Sequence, residues 1–351
     1  MRFPTLRHPI VQAPLAGGPS TVALAAAVSG AGGLGFLAAG YRSADAMADE
    51  IAELQSQLGG DQPYGVNVFA PPGGPGDPDA VRRYAASLAT EAGQAEVTLG
   101  TPRWDDDQYE QKLALLSSAA VPVVSFTFGC PASSDLDRLQ SRGTSAWVTV
   151  TTAAEARQAI GAGADALVVQ GVEAGGHRGG FDDDRPGEVG LLTLLQLVRA
   201  EVGDVPLVAT GGIADGRGVA AVLAAGAVAA QLGTAFLLCP EAGTHPAHRE
   251  AIARGDAPTA LTRAFTGRTA RGIENRFLRQ HSAGAPSAYP EVHHVTAPLR
   301  AGARERGDAD SLHLWAGTAY GLARPTPAAD LVEQLGDGAR TALHEAAERL
   351  P

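Results

Sequence analysis

Eight short apolar runs punctuate the chain: 9–12 (PIVQ), 33–37 (GLGFL), 65–69 (GVNVF), 122–126 (PVVSF), 146–150 (AWVTV), 166–170 (ALVVQ), 206–210 (PLVAT) and 228–232 (VAAQL). They are nearly continuous rather than alternating, as strands covered on both faces by helices are. Most are separated by Ala-rich amphipathic stretches such as "TAAEARQAIGAGA" and "DGRGVAAVLAAGA". Strand–helix alternation repeated eight times predicts an α/β fold, a (β/α)8 TIM barrel, with an open doubly wound sheet as the alternative. The gap 70–121 leaves room for an extra helix beyond the proline/glycine loop "APPGGPGDPD" (70–79). After the eighth strand the pattern turns polar and irregular. It predicts a helical insertion or cap over 240–310, with helices near 246–253, 258–264 and 269–282, and a closing helix near 326–349. The barrel then comprises 1–239 and 311–351, and the cap completes a substrate pocket.

The stretch "AVLAAGAVAAQLGTAFLLC" (221–239) is long enough to suggest a membrane span, but Gln231, Gly233 and Thr234 interrupt it. It reads instead as a buried helix handing over to a buried strand. The chain has 351 residues and a net charge of −11, which disfavours nucleic acid, and no basic cluster suggests a membrane surface. The two cysteines, Cys130 and Cys239, have neither metal-ligand nor disulfide spacing. With no signal-peptide core at the N-terminus, a reduced, cytoplasmic setting is expected. The composition does not indicate an oligomeric state.

In a parallel barrel, chemistry gathers on the loops after the strands. Here those loops are rich in glycine: "APLAGG" (13–18), "GVEAGGHRGG" (171–180), "GGIADGRG" (211–218) and "QLGT" (231–234). Glycine lets backbone N–H groups approach a ligand, and the loops after strands 7 and 8 are the usual phosphate pocket of barrels. Gly211, Gly212, Gly233 and Thr234 occupy those positions. Each loop alone reads more readily as an ordinary tight turn; together with 175–180 they favour a phosphate-bearing cofactor. Asn67 and Gln170 place amides at strand ends, where they could meet a flavin pyrimidine edge or simply tie a neighbouring loop. His177, with a glycine-rich flank, is placed over the barrel mouth, where its ordinary pKa suits proton transfer or an anion contact. Glu173 could orient it or be solvated; Arg178 reads as solvated. His245 and His248 lack a third ligand, His293 and His294 diverge as chain neighbours, and no metal site is expected.

In order along residues 8–335, "QAPLAGG", "AVSGAGGLGFLAAGY", "YGVNVF", "VVSFTFG", "VVQGVEAGGHRGG", "VATGGIADGRGVAAVLAAGAVAAQLGTAFLLCPEA" and "WAGTAYGLAR" resemble the nitronate monooxygenases, formerly 2-nitropropane dioxygenases. The resemblance implies a TIM barrel with non-covalent FMN, and oxidation of alkyl nitronates such as propionate 3-nitronate with O2 to a carbonyl compound and nitrite. It implies FMN contacts at Asn67, Gln170, Gly175, Gly176, Gly211, Gly212, Gln231, Leu232, Gly233 and Thr234. Backbone from Pro14 through Leu15 and Ala16 to Gly17 would pass the ring; Leu15 stands where many members carry methionine. His177 matches the active-site histidine, which holds the nitronate or takes a proton from a neutral nitroalkane, and Tyr320 or Arg324 could line the pocket. The rival is an FMN-dependent enoyl-acyl-carrier-protein reductase using NAD(P)H, which shares the "GGH" turn. A dehydrogenase of the inosine-monophosphate type would need a cysteine after strand 6, which is lacking, and a non-enzymatic flavin-binding protein is the remaining alternative.

Overall fold

The computed structural model describes residues 3–60, 62–71 and 73–349. Pro72, within the loop expected over 70–79, and the first two and last two residues of the expected barrel lie outside these. Eight strands form one parallel sheet: β1 (Ile10–Gln12), β2 (Gly35–Ala38), β3 (Tyr64–Phe69), β4 (Val123–Thr127), β5 (Ser145–Val150), β6 (Ala166–Gln170), β8 (Leu207–Thr210) and β9 (Ala229–Leu232). The two-residue strand β7 (Gly176–His177) lies in the loop after β6. The sheet order is β1-β9-β8-β6-β5-β4-β3-β2. A parallel bridge between Val11 and Leu34 brings the two ends together, so the sheet closes into the expected barrel. At this seam Gln12 N donates to Leu34 O and Leu34 N donates to Ile10 O, both at 2.9 Å. A side chain continues the seam, because Phe36 N donates to Gln12 Oε1 at 2.9 Å.

Side chains alternate across a strand, so every second residue faces the barrel axis. The lower inward positions are apolar: Val11, Phe36, Val123, Trp147, Val168 and Val208 pack together, and Phe3 stacks on Trp147 beneath them with ring centroids 5.2 Å apart. Gly65 leaves room for Phe36, whose ring atoms lie 2.3 Å from where a Cβ would stand. Two residues further along, the inward positions of six strands become polar: Asn67, Ser125, Thr149, Gln170, Thr210 and Gln231. The barrel is thus plugged below and polar above.

The helices follow the hydrophobic pattern. Asp215 caps helix Gly216–Ala224 by accepting from Gly218 N, and β9 follows it, so 221–239 divides as the sequence indicates. Between β3 and β4 lie helices Pro78–Ser87, Ala89–Gln94 and Tyr109–Ser118, two beyond the one that a barrel unit requires. The cap is helical at Pro246–Arg254, Arg276–His281 and Glu291–Arg306, the last of which the pattern did not predict. The helices expected over 258–264 and at the start of 269–282 are instead an antiparallel hairpin, β10 (Thr259–Thr262) and β11 (Ala270–Ile273). Non-local pairing decides this: β11 also pairs with β7, matching Ala270 to His177. Helices Pro78–Ser87 and Ala89–Gln94 share an apolar cluster with Phe265, Phe277, Val292 and Val295, so the cap also rests on the segment before β4.

Candidate active site

One cavity of about 330 Å³ opens over the polar upper ring of the barrel, within the size range of small-molecule sites. Pro14, Leu15, Ala16, Gly17, Asn67, Gln170, Gly175, Gly176, His177, Gly211, Gly212, Gln231, Leu232, Gly233, Thr234 and Tyr320 all line it. The 13–18 loop is fixed by Gln12, which is fully buried. Its Nε2 donates to Ala13 O and to Ser20 Oγ, and Ser20 Oγ accepts from Leu15 N at 2.8 Å. Asn67 donates from Nδ2 to Ser125 O, Ser125 Oγ and Thr127 Oγ1, which locks the amide of β3 onto the neighbouring strand β4.

Gln170 ties the loop that carries His177. Its Nε2 donates to His177 O at 3.1 Å and its Oε1 accepts from Gly179 N at 2.9 Å. His177 is therefore not on a flexible flank: β7 pairs with β11, and Arg178 N donates to Thr269 O at 2.8 Å. Arg178, expected to be solvated, is 1% exposed. Its guanidinium donates to the carbonyls of Pro186, Gly171, Gln170 and Gly187 and forms the inside of the same loop. Glu173 turns away from His177 and accepts from Leu191 N, at the start of helix Leu191–Val202. Gly175 is required by packing, since a Cβ there would stand 2.4 Å from the Ala316–Gly317 backbone.

The His177 ring is half-buried and surrounded by aromatic rings: Phe128 at 5.6 Å, Trp315 at 5.5 Å and Tyr289 at 6.1 Å between centroids. Nε2 lies 2.9 Å from Thr266 Oγ1. Burial pushes its pKa down to about 3, with Arg268 and Arg300 adding to the effect. The imidazole is therefore neutral, in contrast to the ordinary titration expected from the sequence. Arg268 is buried, lies 4.1 Å above the Phe128 ring, and donates to the carbonyls of Arg178 and Gly180. Arg300 donates to Thr296 Oγ1 at 3.1 Å and His293 O at 2.8 Å, and burial lowers its pKa to about 10. His293 stacks on Tyr41 at 4.3 Å and faces the cavity, while His294 turns to Asp105 at 2.8 Å.

The lining thus holds five histidines (177, 245, 248, 293 and 313) and two arginines (300 and 304), with no carboxylate among the described residues. Unopposed in that lining, the two guanidinium groups make the cavity a local positive pole in a chain of net charge −11. No group of three or more potential metal ligands occurs among the described residues, and no described helix is long and apolar enough to cross a membrane. Tyr320 Oη donates to Ala257 O, so its hydroxyl is engaged with the cap rather than free; Arg324 is exposed. Cys130 is half-buried, with burial raising its pKa, and does not line the cavity.

Sequence reading missed Tyr41, Phe128, Thr266, Arg268, His293, Arg300, His313 and Trp315. Tyr41 and Phe128 follow β2 and β4, so the rim rule that found the other loops applies to them as well. The remainder come from the cap and the segment after it, where only the fold brings them over the barrel.

The family model described as nitronate monooxygenase matches residues 3–338. A nitronate monooxygenase of Pseudomonas aeruginosa is 42% identical over 340 residues, which cover 94% of this chain and 95% of that protein. A solved nitroalkane oxidase from Streptomyces ansochromogenes is similar with a TM-score of 0.93 at 51% identity, covering 97% of this chain and 98% of that one. FabK from Thermotoga maritima is more distant, with a TM-score of 0.76 at 28% identity over 98% of this chain and 96% of its own. With a shared fold and matches of this extent, the chain belongs to the nitronate monooxygenase family.

Proposed function

We propose that the protein binds FMN in the barrel mouth and oxidises alkyl nitronates, of which propionate 3-nitronate is an example, with O2 to a carbonyl compound and nitrite. As a family member the chain is a flavin-dependent oxidoreductase. The observation that carries the substrate reading is the positive, carboxylate-free cavity, which suits an anion.

The residues present fit FMN. The N–H groups of Gly212, Gly233 and Thr234 line the cavity and find no protein acceptor among the described residues. Such N–H groups need a partner, and a phosphate supplies one. Gly17 and Gly176 adopt φ of 86° and 73°, and a Cβ on either would meet nothing within 4 Å, so backbone faces open space there. Asn67, Gln170 and Gln231 would line the floor of the site, the first two with amides already engaged by the protein, and the 13–17 backbone would form part of its wall. When bound, FMN supplies the redox chemistry, taking electrons from the nitronate and passing them to O2.

The chain's own residues do the rest. Arg300, with Arg268 behind the lining, supplies the field that holds a nitronate anion, His177 borders the pocket, and Phe128, Tyr289 and Trp315 exclude water. The cap over 240–310 completes the pocket. Replacing His177 by Ala should keep the yellow colour and lower nitrite release from a neutral nitroalkane by about 10²–10⁴-fold; normal release by that variant removes His177 from the chemistry. The reaction itself is tested by mixing the purified yellow protein anaerobically with a nitronate, NADH or NADPH. Bleaching by the nitronate, with nitrite on adding air, is expected. Rapid bleaching by a reduced nicotinamide alone would replace this reading with the reductase one.

A further inference from the structure

His177 is held twice by the same hairpin. Its backbone pairs with β11, and its Nε2 lies 2.9 Å from the hydroxyl of Thr266, in the turn between β10 and β11. Thr266 is 2% exposed. Its hydroxyl has one proton and two acceptors in reach, His177 Nε2 and the carbonyl of Arg268 at 3.2 Å. Arg268 is buried, and its carbonyl has no other donor among the described residues.

A buried carbonyl without a donor is costly, so the hydroxyl proton belongs on Arg268 O. The two lone pairs of Oγ1 then accept from Arg268 N, at 3.4 Å, and from a protonated Nε2 of His177. Every group in the turn is satisfied in this arrangement, whereas the opposite tautomer leaves Arg268 O orphaned. Nδ1 is left as the bare nitrogen of a ring that lines the cavity, and it has no protein partner among the described residues.

We propose that Thr266 is a positioning residue that holds His177 as the Nε2–H tautomer, so that Nδ1 is free to take the proton of a neutral nitroalkane. This rests on the nitronate reading of the cavity. In the step, the C–H bond next to the nitro group breaks, its electron pair becomes the C=N bond of the nitronate, and the proton moves to Nδ1. No oxidant is consumed until the nitronate exists. Thr266 continues to accept from Nε2–H when the ring is doubly protonated. Burial above all disfavours an imidazolium here, and the arginines add to it; the arginines also favour the nitronate formed beside it, which offsets their part of the effect.

The experiment uses full-length FMN-loaded protein carrying 15N-histidine. His177 is assigned by the signals lost in His177→Gln. The expected wild-type spectrum has a protonated Nε2 and a bare Nδ1, with Thr266→Val mixing the tautomers and Thr266→Ser preserving them. In parallel, turnover of nitroethane is compared with that of preformed ethyl nitronate. Thr266→Val should lower the nitroethane-to-nitronate ratio by about tenfold, with Thr266→Ser within about threefold of wild type. A protonated Nδ1 in the wild type, or a valine variant with an unchanged ratio, overturns the proposal. Nitrite from neither substrate would sink the functional reading and the proton transfer with it, while the nitrogen signals judge the tautomer separately.

Discussion

At the scale of single residues, the amides at the strand ends show how far a sequence can be read. Asn67 and Gln170 are legible as buried amides in want of partners, but not which partners they have. Gln170 binds the backbone at both ends of the His177 loop, leaving its amide little freedom to do anything else. Gln170→Leu should therefore destabilise the fold by about 2 kcal/mol, because a donor and an acceptor on the backbone lose their partners together. Urea unfolding checks this, and a stability within error of wild type would mean that water replaces the amide. His177 is legible as a rim residue. Its neutral state is not, because it comes first from burial by the folded cap and then from Arg268 and Arg300, which lie about ninety or more positions away along the chain.

At the scale of elements, all eight barrel strands are found within two residues of where the apolar runs place them, because strands buried on both faces carry a dense signal. The hairpin is a different case. TALT and ARGI are four residues each, without the alternation that marks a half-buried strand, and ARGI also pairs with a two-residue strand more than ninety positions upstream. A short element stabilised from outside carries little signal of its own. The loop between β6 and helix Leu191–Val202 is likewise organised from within, by Arg178. Arg178→Met should leave four carbonyls without their donor and cost at least about 3 kcal/mol. Thermal melting measures it; a methionine variant that melts with the wild type would show that the loop holds without this centre.

At the scale of the whole molecule, the same cavity makes the fold sensitive to acid. Burial lowers the pKa of His177 to about 3, of His293 to about 2 and of His248 to about 4, and His313 is lowered as well. These groups are neutral when folded and take up protons near pH 6.5 when unfolded, so the unfolded chain binds more protons below that pH. Stability is therefore full above about pH 6.5 and falls as pH drops towards about 4, by at most about 1.4 kcal/mol per pH unit for each histidine. A urea midpoint that holds steady from pH 7 to pH 4.5 would contradict this. Nothing in the sequence announces the effect, because it arises from burying four imidazoles together with the guanidinium groups in one chamber.

Gln12 gives the barrel a further property. One end of its carboxamide closes the ring at Phe36 N, while the other grips Ala13 and Ser20 at the foot of the chamber. A cofactor seated on that floor would brace the hoop through a single planar group. Loading the flavin and tightening the stave joint would then be one event, and the protein's resistance to heat is expected to rise with its saturation by cofactor.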